Sequence, residues 1–552
     1  MFHGVMRVTA LAASLLIMAP SAANAAQSPV DRADPSVARE RLTQERPAPA
    51  NTRQAPRIEQ SASGPLGAFA PFVVGAVRVE GATILRPSAF APAIEPYLGR
   101  ELGPAELRAL ATDIANVARR AGFGLASAQI PAQKVVNATL VVTIDEGRID
   151  QVEADGNAKA NVQHLLRRLV DGRPIRTSDL ERQLLLAGDV AGVSVDRVRL
   201  ERRGGRNVLL VHTSREALNG RVLIDNWGSG PIGPVRAQFN LDVNGPATGR
   251  DRLSVGAVVT PLKPREFQFV RAAWSVPVGT SGTEVAIAAY IGHSRPGAEL
   301  ASERLEGTSF DLEATASHPL LRTRAASLWA NVQLGLHDSD LDRAGVLERS
   351  DRIAAVSFGL NALGRVGDGW LRGHLGVEQG VDAFGATRRG DPLASRLDGD
   401  AVFTKLGFSA QYASPLSQRL SLALAMEGQI ASRALLATEE MGLGGRSFLR
   451  GYDYREVSGD RGVAASAELR FDLGAPPKGV RRLQLYAYGD AGKVRNEGAG
   501  IGGGSLASAG GGVRIWLRNR LEVGAELGVP LGDSPFHADP NPRFSFTIGY
   551  GF

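Results

Sequence analysis

Two short motifs carry the side chains best able to do chemistry in this sequence, and the chemistry they offer is ion pairing. Leu449-Arg450-Gly451-Tyr452 lies in a glycine-rich stretch, residues 431–461, between two segments of alternating polarity. Tyr488-Gly489-Asp490-Ala491-Gly492 belongs to a later alternating segment. An arginine can bind a carboxylate through two parallel hydrogen bonds. Removing one partner of a buried pair costs about 3–5 kcal/mol, so such a pair suits the fixing of a position better than the addition of stability.

The segment that carries Asp490 places its carboxylate on the polar face of a strand. Leu483, Leu485 and Ala487 fall on one face, and Gln484, Tyr486, Tyr488, Asp490 and Gly492 on the other. A lone aspartate on such a wall is commonly only solvated, so the residues alone leave its pairing with Arg450 open. We expect Gly451 to let the loop turn tightly, and Tyr452 and Tyr488 to pack around the pair.

Patterns typical of enzymes and metal sites are missing from the sequence. The eight histidines include no HExxH spacing, and no Gly-x-Ser-x-Gly elbow occurs. Asp338, Asp340 and Asp342 have calcium-loop spacing, but Arg343 stands where that loop needs glycine, so we expect a solvated extracellular loop there. The glycine-rich residues 500–504 lie between strands, which argues against a phosphate cradle. We therefore expect that the protein is not an enzyme and has no catalytic residue, metal or cofactor.

Composition narrows the class of protein further. The formal charge of +6 is spread along the chain without a basic run interleaved with aromatics, so we expect no nucleic-acid partner. The chain has no cysteine, which excludes disulfides, thiolate metal sites, a thiol nucleophile and a lipid-anchored cysteine. Its 65 glycines, mostly in the second half, and its alternating segments are typical of an outer-membrane β-barrel.

The N-terminal 71 residues read as a targeting segment and a linker. Arg7 closes a short basic region, residues 8–19 are apolar, and Ala23-Asn24-Ala25 has the pattern of a cleavage site, so residues 1–25 are interpreted as a signal peptide. Residues 26–71 are polar and rich in Ala, Arg and Pro, as in a solvated linker. One short helix over residues 36–46, with Asp34 as its N-cap, fits within them.

Two tandem modules follow, residues 72–147 and residues 148–216. Each is predicted to run strand, two helices and two strands, and a unit repeated at about seventy residues indicates a duplicated domain. The predicted helices cover residues 87–98, 104–121, 159–169 and 178–187, and Ser178 is expected to cap the last. A hairpin is expected around Gly204-Gly205.

Residues 217–552 contain about sixteen short alternating segments. The strands are expected to begin near residues 221, 235, 252, 266, 283, 305, 324, 352, 369, 399, 419, 462, 481, 506, 520 and 543. Alternation also occurs in a soluble β-sandwich, but the even count, the charged polar faces and the aromatic C-terminal residue favour a membrane barrel. If the first strand runs outward, Arg450 lies in the sixth extracellular loop and Asp490 on the thirteenth strand.

The chain resembles the outer-membrane transporters of two-partner secretion, the TpsB type of haemolysin or adhesin secretion/activation proteins within the BamA-like superfamily. Arg450-Gly451-Tyr452 matches the Val/Ile-Arg-Gly-Phe/Tyr motif of that superfamily, and residues 488–492 resemble its aromatic-or-Gly-x-Asp-x-Gly strand motif. Leu449 and Tyr488 are mild departures from the usual residues. The two modules look like POTRA domains, and residues 223–228 resemble the start of the family's barrel.

The resemblance implies a function and a role for each motif residue. It implies an outer-membrane barrel of about sixteen strands with two periplasmic POTRA domains that capture a large unfolded TpsA-type exoprotein and thread it outward without ATP. A loop-6 lock of Arg450, Gly451 and Tyr452 would meet a wall site of Tyr488, Asp490 and Gly492. A plug helix near the N-terminus is also implied. We expect a monomeric barrel surrounded by outer-membrane lipid.

Two other functions share parts of this pattern. A BamA-type insertase, which folds other barrels, would usually have more POTRA modules than two. A passive porin would have neither the two modules nor the Arg450 motif.

Overall fold

The computed structural model describes residues 70–474, 476–498, 503–533 and 541–552, together with Pro35 and the backbone of residues 58–60. The predicted signal peptide, residues 1–25, and the predicted helix, residues 36–46, lie outside the described residues. Within the described part, no helix has both the length and the apolar character needed to cross a bilayer.

The first module is a small sheet covered by one long helix. Its sheet has the order β3-β6-β5, beside a two-stranded ribbon of β2 and β4. The long helix α2 buries Leu107, Leu110 and Ile114 in the core of the module. In chain order, with one earlier strand, the elements are β1 (Ile58–Gln60), β2 (Phe72–Val74), β3 (Ala76–Glu80), α1 (Ala91–Ile94), β4 (Arg100–Leu102), α2 (Pro104–Arg120), β5 (Ser127–Gln129) and β6 (Thr139–Asp145).

The predicted helix over residues 87–98 is helical from residue 87 to residue 97, but it is not one regular α-helix. The segment is instead α1 between two 3-10 turns, Pro87–Phe90 and Glu95–Tyr97. Pro92 and Pro96 explain the break, because each removes a backbone donor and its ring clashes with the preceding turn.

Glu146 fastens the loop that follows β3. Its buried carboxylate accepts hydrogen bonds from the backbone N–H groups of Thr83 (2.7 Å), Ile84 (2.9 Å) and Leu85 (2.8 Å) and from the Thr83 hydroxyl (2.7 Å). Burial by itself raises the pKa of this carboxyl, but the four hydrogen bonds outweigh burial and hold the pKa below its usual value. The ionised form is therefore the one that the folded module binds.

We expect the hold of Glu146 on this loop to depend on pH. Because the folded pKa is depressed, its contribution is complete above the ordinary carboxyl pKa and is lost as pH falls through the folded value. Glu146→Ala should weaken the local structure by about 1.5–3 kcal/mol at neutral pH. Hydrogen exchange of the amides of residues 83–85 in the full chain measures this. Glu146→Gln is the matched control, and a pH dependence that persists in it would contradict the assignment.

The second module repeats the order of the first. Its elements are β7 (Gln151–Gly156), α3 (Lys159–Leu166) with a 3-10 turn at Arg167–Leu169, α4 (Thr177–Asp189), β8 (Val193–Arg203) and β9 (Arg206–Arg215). The sheet order is β1-β8-β9-β7, so β1 from the linker lies on the outer edge of β8, parallel to it, with Ile58 opposite Val198. The sequence did not predict this added strand.

Ser178 is not the N-cap of the last helix of this module. The helix begins one residue earlier, at Thr177, after an uncapped Arg176. The Thr177 hydroxyl instead accepts from the Gly124 N–H (2.9 Å) and donates to the Gly122 carbonyl (3.1 Å), both in the first module. This hydroxyl therefore joins the two modules.

The C-terminal part is a closed barrel of sixteen antiparallel strands, as predicted. Every predicted start lies within a few residues of an observed one. The barrel strands are β10 (Leu218–Asp225), β11 (Arg236–Asn244), β12 (Arg252–Val259), β13 (Phe267–Val278), β14 (Thr283–Ser294), β15 (Leu305–Arg322), β16 (Ala326–Arg343), β17 (Val346–Val366), β18 (Gly369–Val381), β19 (Thr404–Pro415), β20 (Leu420–Ala431), β23 (Arg461–Asp472), β24 (Val480–Arg495), β25 (Gly504–Leu517), β26 (Leu521–Pro530) and β27 (Arg543–Gly551). Two short strands, β21 (Met441–Leu443) and β22 (Val457–Gly459), form a hairpin in the loop between β20 and β23.

The apolar faces of the strands point away from the barrel, which excludes the sandwich interpretation. Ile291, Phe358 and Phe544 are 58–63 % exposed in the protein alone, although in a sandwich such residues would form the core. A surface of this kind is expected where the solvent is lipid. On the inside, Pro35 is buried and its Cβ lies 2.7 Å from where a Cβ on Gly292 would stand, so Pro35 lies against the inner wall there.

Asp338, Asp340 and Asp342 do not lie in a loop, contrary to the expectation from sequence. They lie on β16, which continues to a tight turn at Ala344-Gly345. Arg352 on the neighbouring strand pairs with Asp338. The alternation of this acidic stretch is the alternation of a strand, and the resemblance to a calcium loop is coincidental.

A buried ion pair fastens the second module to the barrel. Arg322, at the end of β15, is 2 % exposed and binds Asp189 of α4 through Nε (3.0 Å) and Nη2 (3.0 Å). Its third nitrogen, Nη1, donates to the Ser327 hydroxyl (3.1 Å). Nearby, Arg182 donates to the Pro319 carbonyl (2.8 Å). The second module thus contacts the barrel where β15 ends and β16 begins.

Breaking this pair should loosen the second module without opening the barrel. Arg322→Ala leaves Asp189, whose side chain is 24 % exposed, without its bidentate partner, and losing hydrogen bonds to a charged group costs about 1.5–3 kcal/mol. Faster hydrogen exchange in α4 is the expected result, with heat-modifiable gel mobility of the barrel unchanged. Arg168→Ala, which removes one exposed hydrogen bond to Thr280 at the same junction, is the matched control. Equal exchange in both variants would contradict the role of Arg322.

Candidate functional site

The loop between β20 and β23, residues 432–460 and here called loop 6, folds back into the barrel. Its own apolar residues pack on the inner wall. The cluster joins Leu443, Phe448, Leu449, Tyr452 and Val457 of loop 6 to Ala464, Val494 and Leu506 of the wall. Leu449 and Val457 are 0–1 % exposed. This packing brings the neighbouring Arg450 to the wall at the level of Asp490.

Arg450 and Asp490 form a bidentate ion pair. Arg450 Nε lies 3.0 Å from Asp490 Oδ2, and Arg450 Nη2 lies 3.0 Å from Asp490 Oδ1. The backbone N–H of Arg450 donates to the same carboxylate, at 3.1 Å. Both side chains are buried, at 6 % and 4 % exposure. The structure therefore brings the two motifs together in the geometry that makes an arginine–carboxylate pair directional.

Two further carboxylates converge on the same guanidinium. Glu468 Oε2 on β23 lies 2.7 Å from Arg450 Nη1, and Glu526 Oε2 on β26 lies 3.7 Å from it. Arg514 on β25 holds Glu468 through both nitrogens, at 2.7 and 3.0 Å, and Arg470 Nε lies 2.6 Å from Glu468 Oε1. Three arginines thus balance three carboxylates in one buried cluster, which avoids the cost of an uncompensated charge.

Sequence reasoning did not identify these additional residues. Glu468 and Asp490 both point into the lumen, and the register of β23 against β24 sets Glu468 opposite Tyr488 and Ser466 opposite Asp490. Glu526 stands between the apolar residues Ala525 and Leu527, and this alternation indicates an inward face for it, which is a usable signal. The register between neighbouring strands decides which inward side chains come into contact. Strand polarity alone does not predict that register.

Two tyrosine rings pack against the arginines of the cluster. The Arg450 guanidinium carbon lies 3.3 Å from the ring centre of Tyr488, and that of Arg514 lies 3.7 Å from the ring centre of Tyr486. The two rings stack at 6.4 Å. A cation over an aromatic face contributes about 0.5–2 kcal/mol, more where water is excluded. Tyr488 thus packs around the pair, as expected.

Gly451 is required for close approach rather than for a tight turn. A Cβ there would stand 2.8 Å from the Pro530 nitrogen and 2.9 Å from the Val529 carbonyl carbon. The left-handed residue of the motif is Leu449, at φ 61°. Gly492 acts similarly on the wall, where a Cβ would stand 3.0–3.1 Å from Leu443 and Leu449. Both glycines therefore make room for the loop backbone and its apolar cluster.

Tyr452 fastens the other side of the motif. Its hydroxyl donates to the Gly532 carbonyl (3.0 Å) and accepts from the Gly532 N–H (3.2 Å), just beyond β26. It therefore packs beside the ion pair and also binds the barrel rim. All six predicted residues, Arg450, Gly451, Tyr452, Tyr488, Asp490 and Gly492, meet in one site.

This arrangement of loop and wall can hold loop 6 inside the barrel. The loop is joined to the wall by a directional ion pair, an aromatic face and an apolar cluster. Each element is reversible and none is covalent. The arrangement is therefore a loop held inside the barrel by contacts that can break and re-form.

Comparison with known proteins agrees with this geometry. Residues 204–515 match the family of the haemolysin secretion/activation protein ShlB/FhaC/HecB, and residues 72–147 match the ShlB-type POTRA domain. The heme/hemopexin transporter protein HuxB of Haemophilus influenzae (strain 86-028NP) is 22 % identical over 408 residues, 72 % of this chain and 71 % of HuxB.

Solved structures share the fold. CdiB from Escherichia coli superposes with a TM-score of 0.72 at 22 % identity, covering 96 % of this chain and all of that one. BamA from Haemophilus ducreyi lacking POTRA domains 1–3 is more distant, with a TM-score of 0.54 at 14 % identity over 87 % of this chain and all of that one.

The family match covers more than half of the chain, including both site motifs and fourteen barrel strands, from β10 to β25, in part or whole. The POTRA match covers the first module. The chain therefore belongs to the ShlB/FhaC/HecB family of haemolysin secretion/activation proteins, the outer-membrane transporters of two-partner secretion.

Proposed function

We propose that this transporter binds an extended segment of a large secreted exoprotein on its periplasmic modules and passes the chain outward through the lumen after loop 6 releases. The observation that carries the proposal is the buried Arg450–Asp490 pair, which fixes loop 6 inside the barrel. The work is binding and conduction rather than catalysis. Residues 1–25 would direct export, and the barrel, closed by its own strands, would act as a monomer in lipid.

The outer edge of β8 supports the binding step. The linker strand β1 already adds to this edge as a parallel neighbour, opposite residues 198–200. An edge that accepts one extended segment through its backbone can accept another, with side-chain pockets supplying preference. β8 is eleven residues long, so β1 covers only part of it.

Two alternative functions have less support. An insertase of the BamA type shares the barrel, but BamA resembles this chain in fold alone. A passive porin would need neither the modules nor a fixed loop.

Co-expression with the exoprotein tests the proposal. A host without other secretion partners should release the exoprotein into the medium only when this chain is present. A photo-crosslinker at exposed Arg202, on the part of β8 beyond the residues paired with β1, should capture the exoprotein during export, whereas one at exposed Gln151, on the opposite edge strand β7, should not. Secretion without this chain would refute the proposal, and capture at Gln151 alone would refute the β8 edge.

A further inference from the structure

The seam that closes the barrel is its shortest strand pairing. β10 and β27 are matched only over residues 221–225 against residues 547–551. The neighbouring pairings of β10 with β11 and of β27 with β26 each extend over eight residues. At the end far from the POTRA modules, residues 543–546 of β27 therefore extend past the end of β10. Backbone pairing alone does not close this outer end.

One long backbone bond continues the ladder past β10, from the Asn226 N–H to the Phe546 carbonyl (3.4 Å), and side chains supply the remaining contacts. The Asn226 amide nitrogen donates to the Phe544 carbonyl (2.9 Å), and the Phe546 N–H donates to the Asn226 side-chain oxygen (2.7 Å). The Asn226 side-chain amide thus forms hydrogen bonds to the β27 backbone in the place where a further residue of β10 would form them. Its position depends on the backbone that carries it, residues 226–228.

The Arg543 guanidinium donates hydrogen bonds both to the backbone of residues 226–228 and to loop 6. Nη2 donates to the carbonyls of Asn226 (3.3 Å) and Gly228 (3.1 Å), just after β10. Nη1 donates to the Tyr452 carbonyl (3.0 Å) and lies 2.9 Å from Asp453 Oδ1, both in loop 6. The guanidinium also lies 5.5 Å from the ring centre of buried Trp227.

We propose that Arg543 is a positioning residue that couples the loop-6 lock to closure of the outer seam. While Arg450 holds the loop, Tyr452 and Asp453 keep the guanidinium in place over the end of β10. When the loop leaves, Arg543 loses two of its four acceptors, and the side-chain-closed end of the seam opens. The inference rests on the proposed release of loop 6 during transport.

The coupling is reciprocal, because two linked equilibria must shift each other by the same factor. Release of the lock should loosen the outer seam, and loss of Arg543 should loosen the lock. Couplings of this kind typically amount to about 5–150-fold. This gives the proposal two independent readouts, neither of which requires an exoprotein.

Hydrogen exchange on the full chain in lipid vesicles tests it. In Arg450→Ala, amides of residues 544–548 should exchange about fivefold faster or more, while the inner seam, residues 549–551, stays unchanged. In Arg543→Ala, amides of residues 449–452 should accelerate by a similar factor. Arg543→Lys, which cannot bridge both partners, should give an intermediate result and replaces the alanine variant if that fails to insert. Arg482→Ala, which breaks an ion pair with Asp472 away from both sites, is the control.

A disulfide supplies a rescue, since the chain has no cysteine of its own. Ile224→Cys with Ile548→Cys, a directly opposed pair, should return the exchange of residues 544–548 in Arg450→Ala to its original rate. Unchanged exchange at the outer seam in Arg450→Ala, or equal acceleration at both ends of the seam, would overturn the proposal. Because substrate is absent, neither result depends on whether the chain secretes an exoprotein.

Discussion

Replacing Arg450 with alanine is expected to reduce secretion of the exoprotein about tenfold or more while the barrel still inserts. The change leaves three carboxylates, Asp490, Glu468 and Glu526, facing two arginines in a buried site. Removing one partner from such a site costs about 3–5 kcal/mol, a shift of about two to four orders of magnitude in the occupancy of the locked position. Loop 6 would then have no fixed position in the lumen. We expect it to obstruct the path of the exoprotein instead of leaving that path in an ordered step.

The expected result separates charge from geometry. Arg450→Lys keeps the charge but loses the bidentate fork, so it should recover only part of the secretion. Asp490→Asn should resemble Arg450→Ala, since it removes the anionic acceptor and keeps the shape. Exoprotein in the culture medium measures export, and heat-modifiable gel mobility measures insertion.

Arg433→Ala is the matched control for this series. Arg433 belongs to the same loop and pairs with Asp400 at 3.3 Å, but its side chain is half exposed. Exposed pairs contribute about 0–1 kcal/mol, so secretion should stay near the original level. Normal secretion by Arg450→Ala or Asp490→Ala would rule out the lock as part of transport.

The sequence predicted some parts of this site and not others. Strand polarity located Asp490 on the lumen face because alternation depends on local environment alone. The meeting with Arg450 could not be derived from polarity, because a loop of 29 residues, 432–460, can fold in many ways. The resemblance to a known motif supplied that pairing, and the apolar cluster around Leu449 supplies its physical cause.

Some errors of the sequence analysis originate in contacts distant along the chain. Thr177, not Ser178, starts the helix because its hydroxyl bonds to the other module. Gly451 is needed for the approach of β26, which lies about eighty residues later. Strand starts were predicted well because turn residues and polarity change together. Asp189 and Arg322 showed no sequence signal, since their pairing joins two independently folded units.

Deleting both modules, residues 72–215, together with Arg322→Ala, should abolish secretion and leave a barrel that conducts ions. The second change matters because deletion alone would leave the Arg322 guanidinium without Asp189. A protein whose modules capture the exoprotein loses all of its substrate delivery, so the expected loss is complete rather than partial. Ion conductance in planar bilayers, measured beside secretion, shows whether the pore survives.

This experiment also decides between transport and passive conduction. The full chain with Arg322→Ala is the control, because it keeps both modules and loses only their fastening; some secretion should remain. A passive porin would behave alike with and without the modules. Binding of the exoprotein by the isolated barrel at full affinity would contradict the proposal, since recognition would then lie in the lumen. If instead the barrel conducts and the exoprotein stays in the periplasm, recognition belongs to the modules and the barrel with loop 6 supplies the gated path.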